Sequence, residues 1–244
     1  MKKLMFFIIT FSATFGILSN VYAMHIMEGY LAPSHCIVWS IISLPFLFWG
    51  FYRIQKLLEK DRKNITLLAM AAAFIFVISS LKIPSVTGSC SHMTGTALGA
   101  ILFGASSVAV LGIIVLLFQA ILLAHGGLTT LGANVFSMAI AGPFLSYAVY
   151  KILKKCHTNT KVSIFIAAFL GDFFTYCITS IQLAFAYPSL EGGIVTSIFK
   201  FLGVFAPTQL PLAVIEGILT VIIMIILQTY ALPEMKLIGF EREV

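Results

Sequence analysis

Long apolar segments alternate with short polar ones through most of this chain. Such segments predict membrane-spanning helices, because about 20 apolar residues are needed to cross the hydrocarbon core of a bilayer. Seven of them can be placed, at residues 35–52, 64–81, 94–104, 106–124, 132–151, 162–186 and 208–230. The third is much shorter than the others, so it is either a short helix packed within protein or a helix that extends back through Ser91, and we count it as a span. Residues 187–207 are a candidate for a helix at the membrane interface.

The amino-acid composition agrees with this pattern. Hydrophobic residues make up 60% of the 244 positions and charged residues only 10%, and the mean hydropathy is +1.05. Soluble domains carry about 25% charged residues, so this chain could not cover its apolar surface in water. The sequence therefore predicts an all-α polytopic membrane protein with about seven transmembrane helices.

The first 23 residues have the three parts of a signal peptide. Two lysines precede an apolar stretch at residues 4–18, and small residues stand at Ala23 and two positions before it. We predict a signal peptide over residues 1–23 and a single membrane domain over residues 24–244. Cleavage after Ala23 leaves Met24 as a free N-terminus outside the cytoplasm. Two alternatives stay open: an uncleaved first transmembrane helix, and translation that starts at Met24 and exposes the same amine.

The positions of the charges predict the orientation of the spans. Of the 13 basic residues that follow the leader, 11 fall on alternate loops and the C-terminal segment, which the positive-inside bias assigns to the cytoplasm. The N-terminus then lies outside and the C-terminus lies in the cytoplasm. The same topology puts four of the five histidines at or near the outer side: His25, His35, His92 and His125. We place the chain in the cell membrane, with its potential metal ligands outside.

Two motifs typical of catalytic proteins do not occur in the sequence. Without a G-x-x-x-x-G-K-[ST] phosphate-binding loop, any ATP hydrolysis that drives transport has to take place on another chain. Without an H-E-x-x-H pair, an intramembrane metalloprotease is disfavoured.

The dipeptide Met24-His25 at a free N-terminus can chelate a metal ion. The α-amine of Met24, the amide nitrogen of His25 and Nδ1 of its imidazole close two chelate rings around one ion. A fourth nitrogen from another outer loop completes a square plane, and His92 is the best candidate. This geometry favours Ni(II) or Cu(II), and it can accommodate low-spin Co(II). The alternative, that both histidines are only hydrogen-bonded residues near the membrane interface, stays open.

Three segments of the chain together resemble the CbiM family. They are MHIMEGYL at residues 24–31, KIPSVTGSCSHMTGT at residues 82–96 and AHGGLTTLGAN at residues 124–134. Members of this family are seven-helix substrate-capture subunits of energy-coupling-factor cobalt transporters, akin to the nickel-binding NikM proteins. The resemblance implies that the metal is held at the outer face by the N-terminal amine, by the backbone nitrogen and side chain of the second residue, and by a loop histidine. Here these residues are Met24, His25 and His92.

The same resemblance implies a cargo and partners. Co(II) is the expected transported ion, with Ni(II) next, for cobalamin biosynthesis, and no cofactor is permanently bound. The expected partners are a CbiN-like small membrane subunit, a CbiQ-like transmembrane coupling subunit, CbiO-like ATPase subunits and membrane lipid, with no nucleic acid. The resemblance therefore implies a transporter subunit and not an enzyme. Three alternatives remain: a nickel-specific capture subunit of the same transporter class, a stand-alone secondary carrier, and a membrane-embedded metalloenzyme on His25 and His92 with Glu28 as its acid or base.

Further polar residues are candidates for supporting the metal site or the spans. The expected supports of the metal site, each of which could instead serve ordinary cap or turn chemistry, are Glu28, Ser91, Thr94, His125 and Asn134. Asp172 and Glu216 fall within predicted spans, where charged groups are costly and face protein or water. Their alternatives are a polar contact between helices and a direct role in metal passage.

Overall fold

The structure is a computed structural model that describes residues 25–84 and 90–238. The predicted signal peptide at residues 1–23 and the amine of Met24 lie outside the described residues. The described part is helical except for one short hairpin and the connecting loops. In chain order its elements are α1 Pro33–Lys60, α2 Asn64–Ser80, β1 Lys82–Pro84, β2 Cys90–His92, α3 Thr96–Phe103, α4 Ala105–Leu123, α5 Leu131–Lys155, α6 Thr160–Ala186, α7 Gly193–Tyr230 and α8 Leu232–Leu237.

Five of these helices, among the residues described, are long and apolar enough to cross a membrane: α1, α4, α5, α6 and α7. The 17-residue α2 is apolar too and lies at the lower limit of about 17 residues for a span. The prediction of a multi-pass helical protein is confirmed at this level. All seven predicted apolar segments contain helix, but their lengths differ from the prediction in two places.

The first difference is α3, which we had counted as a span. It has 8 residues, which extend about 12 Å along the helix axis, whereas the hydrocarbon core is about 30 Å thick. Seven of those residues are buried in protein, and the helix ends at Gly104, whose φ of 89° favours glycine. The assignment of this segment as a span is therefore wrong. Its apolar character reflects burial between other helices.

The second difference is α7, a continuous helix of 38 residues. The sequence predicted a span that begins at Thr208 and a separate interfacial helix before it, but α7 starts at Gly193 and continues through Pro207 and Pro211. Proline in a helix interior removes a backbone hydrogen bond, but α7 remains helical at both positions and packs along α6. Its length of about 57 Å is nearly twice the thickness of the hydrocarbon core.

The helix α1 has one face packed against protein and a remaining surface of exposed apolar side chains. Its buried residues Cys36, Ser43 and Gly50 recur every seven positions and so lie on one face. At Gly50 a Cβ atom would come within 2.1 Å of the Ser106 carbonyl oxygen, so α1 and α4 are in very close contact there. The remaining surface of α1 is rich in exposed apolar side chains such as Phe48, as expected for a helix facing lipid.

One end of the helix bundle collects the segments that the topology places outside. The start of α1, the end of α4, the start of α5 and the β1–β2 hairpin meet there. In the hairpin the strands are antiparallel and Lys82 pairs with His92. At the opposite end, basic side chains from α1 and α5 line a common cleft: Arg53, Lys56, Lys60, Lys151 and Lys154. The outer loops and the predicted cytoplasmic cations are therefore at opposite ends of the same helices.

Candidate metal centre

Three buried histidines meet where the predicted outer loops converge. His25 precedes α1, His92 ends β2 and His125 follows α4, and their exposed fractions are 3%, 0% and 2%. One ring nitrogen from each lies within 4.8 Å of those of the other two. Predicted ligands His25 and His92 are thus side by side, and His125 joins them.

The closest pair is His25 and His92. Their rings stack with centroids 4.5 Å apart, and Nδ1 of His25 lies 2.6 Å from Nε2 of His92. Two nitrogens that bind one ion at right angles, each at about 2.0 Å, are about 2.8 Å apart. The observed separation matches adjacent ligands of a square plane. Nδ1 of His25 is the ring nitrogen that the N-terminal chelate requires, and His92 is the histidine expected to supply the fourth nitrogen.

The tautomer of His92 follows from its second contact. Its Nδ1 lies 2.8 Å from the backbone carbonyl oxygen of Met93. A carbonyl only accepts, so Nδ1 carries the proton and Nε2 keeps its lone pair, directed at His25. Metal-binding histidines commonly fix their orientation with such a contact.

His125 is placed by the end of α4. Ala124 adopts the left-handed conformation with φ of 46°, and the amide of His125 donates to the carbonyl of Gln119, six residues back. The left-handed residue at the end of the helix turns the chain sharply. The His125 ring then meets the His25 ring edge-on with centroids 4.5 Å apart. Nε2 of His25 and Nε2 of His125 are buried without a hydrogen-bond partner, so both are available to a bound ion or to water.

Burial keeps the three imidazoles uncharged. Loss of hydration lowers the pKa of His92 from 6.5 to about 4 and that of His125 to about 3. The pKa of His25 lies well below its ordinary value, first because of burial and then because of the neighbouring His125 and His92. All three rings are therefore neutral near pH 7, which is the form that binds a metal ion.

The backbone directly after His25 is held by α5 and the loop before it. Asn134 accepts a hydrogen bond from the Ile26 amide at 2.8 Å and donates to the Ile26 carbonyl at 3.0 Å. Thr130 donates to the same carbonyl at 2.7 Å. Asn134 immediately precedes a π-helical stretch, Val135–Ala141, a type of irregularity that is frequent at functional sites. Asn134 is therefore hydrogen-bonded to the residue after His25, and its role at a metal site stays a prediction.

Glu28 contacts the loop after His125. It is exposed, and its carboxylate accepts a hydrogen bond from the amide of Thr129 at 3.1 Å. Hydrogen bonding by Thr129 lowers the pKa of Glu28. No hydrogen bond from Glu28 to an imidazole occurs among the described residues. The carboxylate joins the N-terminal loop to the loop after His125, where Gly127 approaches so closely that a Cβ atom would lie 2.5 Å from the Glu28 Cα.

The segment around His92 is held by α7. Ser91 and Thr208 share a hydrogen bond of 2.8 Å, and Nε2 of Gln209 donates to the His92 carbonyl at 3.3 Å. Gln209 also donates to Asp172 of α6 at 2.6 Å. Sequence reasoning missed Thr208 and Gln209. Their signal was weak, because neither a threonine nor a glutamine in an apolar segment indicates which loop it will contact.

Glu216 reaches the same segment one residue further on. Its carboxylate accepts hydrogen bonds from the Thr94 amide at 2.5 Å, the Thr94 hydroxyl at 2.8 Å and the Gly95 amide at 3.0 Å. Sequence reasoning singled out Glu216 and Thr94 separately, without a link between them. The two predicted loop supports Ser91 and Thr94 both contact α7.

A family model described as "Cobalt uptake substrate-specific transmembrane region", CbiM, matches residues 25–234. The chain belongs to the CbiM family. The match includes His25, His92 and His125, and the predicted resemblance to this family is confirmed.

Relatives of similar length support the assignment to the CbiM family. A protein named "Cobalt transport protein CbiM" from Lachnoclostridium phytofermentans is 65% identical over 238 residues, which are 98% of this chain and 95% of the relative. A protein of the same name from Clostridium tetani is 52% identical over 244 residues, which are 100% of both chains. The prediction of a transport protein agrees with these names.

Two crystal structures share this fold. One, described as a truncated transition metal transporter, has a TM-score of 0.75 and 26% identity, over 84% of this chain and 99% of the other. A second, described as a transition metal transporter, has a TM-score of 0.73 and 28% identity, over 84% of this chain and 92% of the other. The helical architecture of this CbiM family member is therefore that of solved metal transporters.

Proposed function

We propose that this chain captures Co(II) at the outer face of the cell membrane as the substrate-binding subunit of an ATP-driven energy-coupling-factor transporter. Four nitrogens hold the ion: the α-amine of Met24, the amide nitrogen and Nδ1 of His25, and Nε2 of His92. The ion is the substrate of transport, and the chain performs no bond chemistry on it.

The observation that carries this proposal is the separation of 2.6 Å between Nδ1 of His25 and Nε2 of His92. These atoms come from loops 67 positions apart, and both rings are buried and uncharged. Without an ion, these two neutral, buried imidazoles share one hydrogen bond between the facing nitrogens. A divalent ion between them would be bound by a lone pair from each ring.

The surroundings of the site favour capture over catalysis. A metalloenzyme needs an acid or base beside its ion, and Glu28 was the candidate. Its carboxylate is exposed and bonded to Thr129. Asn134 and Thr130, which contact the backbone beside His25, orient the chain by hydrogen bonds and are not proton carriers near pH 7.

Transport requires partners that supply energy. We propose the predicted set: a CbiN-like small membrane subunit, a CbiQ-like coupling subunit and CbiO-like ATPase subunits. The basic cleft lies at the end of the helices opposite the histidines, which supports an outer metal site and a cytoplasmic cleft. In cells, loss of the ATPase partner is expected to stop cobalt uptake. Continued uptake by this chain alone would identify a secondary carrier.

Metal retention by purified variants tests the proposal. In detergent, with equimolar Co(II) and Ni(II), the wild type is expected to retain about one ion per chain. His25→Ala and His92→Ala each remove a ligand and should lose the ion, whereas His125→Ala should keep it at lower affinity. His157→Ala is the control, since His157 is an exposed residue beyond the inner end of α5.

The outcomes of this experiment discriminate between the alternatives. Retention by His92→Ala at the wild-type level contradicts the proposed ligand set. A square-planar nitrogen site favours Ni(II) in detergent in either case, so uptake by cells supplied with Co(II) or Ni(II) separates a cobalt transporter from a nickel-specific capture subunit of the same transporter class.

A further inference from the structure

A single face of α7 contacts the whole segment that carries His92. Thr208 meets Ser91, Gln209 meets the His92 carbonyl, and Glu216 meets Thr94 and Gly95. Gln209 and Glu216 are seven positions apart, two helical turns, and therefore lie on the same face. The last long helix thus holds this segment at three successive points.

Glu216 makes the densest of these contacts. It is 1% exposed, and both oxygens of its carboxylate accept hydrogen bonds. The two consecutive amides of Thr94 and Gly95 converge on it, which requires a sharp local turn. Gly95 supplies that turn with φ of 68°, and a Cβ atom there would lie 3.3 Å from Ile75 and Ile78, so the turn is also packed tightly from behind.

The contact lies one residue away from the group that orients the metal ligand. Nδ1 of His92 donates to the Met93 carbonyl, and the next peptide amide along the chain belongs to Thr94. The Met93 carbonyl and the Thr94 amide are parts of one planar peptide group. Holding the Thr94 amide therefore fixes the direction of the Met93 carbonyl, and with it the rotation of the His92 ring.

We propose that Glu216 is a positioning residue for metal capture. It holds the Met93–Thr94 peptide so that Nε2 of His92 stays directed at the ion, and it thereby sets how long the ion remains bound. This inference rests on the proposed function. Among the described residues Glu216 has no hydrogen bond to an imidazole, so it acts on His92 through this peptide group.

A purely structural contact would not need this residue type. The neighbouring packing between α2, the hairpin and α7 is already apolar, formed by Ile78, Met93 and Leu212. A carboxyl group inside an apolar helix is costly unless it forms compensating contacts. The Glu216 carboxylate forms them by accepting three hydrogen bonds, from the Thr94 amide, the Thr94 hydroxyl and the Gly95 amide.

The rate of metal loss tests this role. Glu216→Gln keeps the size of the side chain but replaces one acceptor oxygen by an NH₂ group, which faces the amides it should accept from. Loss of an outer contact to a metal ligand typically costs 10–100-fold in affinity, so we expect Co(II) loss to a chelator to become faster by about 10–100-fold. The visible absorption bands of bound Co(II) should also shift, because the His92 ring rotates.

The matched control is Thr220→Val. Thr220 is buried on the same helix, one turn further along, and among the described residues its hydroxyl donates to the Glu216 backbone carbonyl. We expect its rate of metal loss and its Co(II) spectrum to match the wild type. Glu216→Asp, which keeps both acceptor oxygens but shortens the reach, should lie between the wild type and Glu216→Gln and serves if the latter fails to fold.

The outcomes separate this inference from the proposed function. If the wild type binds Co(II) and the Glu216 variants lose it at the rate of Thr220→Val with an unchanged spectrum, the positioning role is wrong and the capture function stands. If the wild type itself retains no Co(II) or Ni(II), the capture function is wrong and this inference fails with it.

Discussion

The side chain of Asn134 pairs with both backbone polar groups of Ile26, accepting from its amide and donating to its carbonyl. A residue at the start of α5 thus fixes the chain immediately after His25. The contact is buried, so nothing in solvent can replace it.

Replacing Asn134 should therefore weaken metal binding without changing the ligands. Asn134→Leu has a similar size and removes both hydrogen bonds, which frees the backbone next to His25. We expect Co(II) affinity to fall by about 10–100-fold, measured by competition with a chelator. The control is Asn159→Ala. Asn159 caps the start of α6 at the far end of the helix bundle, where its side chain accepts a hydrogen bond from the Lys161 amide. That change should cost about 1 kcal/mol of stability and leave affinity unchanged; an equal affinity loss in both variants would contradict the role of Asn134.

The stability of the metal-free protein should depend on pH through the buried histidines. As pH falls, an imidazole with a folded pKa near 4 or 3 takes up its proton first in the unfolded chain, where the pKa is 6.5. The stabilisation is complete above pH 6.5 and is lost as pH falls towards 4. Between pH 6.5 and 5.5 the expected loss is about 1 kcal/mol for each histidine.

Thermal unfolding in detergent measures this dependence. His125→Gln should reduce it, because one of the three imidazoles is removed, and His157→Ala should not. A stability that stays flat from pH 7 to pH 5 would contradict the buried, neutral state of the cluster.

Close contact between α4 and α5 should make the protein sensitive to replacement of Gly112. A Cβ atom at Gly112 of α4 would lie 2.3 Å from the Ala139 Cβ in the π-helical part of α5. Gly112→Ala should therefore cost about 1–3 kcal/mol of stability through overpacking. Gly203→Ala is the matched control, because nothing lies within 4 Å of a Cβ there and α7 should gain up to about 1 kcal/mol. Equal thermal midpoints for the two variants would contradict the packing of α4 on α5.

Hydropathy predicts most of the helices because each apolar segment is local information. It fails at α3 and α7, where context decides. The short α3 is apolar because protein buries it, which hydropathy does not distinguish from burial in lipid. Pro207 lacks a backbone N–H, so the sequence indicates a helix end near this position. The helix α7 nevertheless continues through Pro207 and packs along α6.

The candidate site divides in the same way. The chelating dipeptide and the histidines on outer loops are visible in the sequence, and the structure brings His25, His92 and His125 together. The contact between Glu216 and Thr94 joins positions 122 apart, and no local pattern predicts such a pair. The position of His125 depends on a left-handed Ala124, a conformation that the sequence does not favour.

The N-terminal amine of Met24 is central to the proposed capture of Co(II), and blocking its position tests the account most directly. Intact mass first establishes that the purified chain begins at Met24, and a matched sample carries one additional residue before it. Bound Co(II) is then measured for both. If the Met24 amine binds the ion, the chain that begins at Met24 should bind about one Co(II) and the extended chain none. The added residue converts the amine into an amide and displaces the chelate. Undiminished Co(II) binding by the extended chain would contradict this role of the Met24 amine.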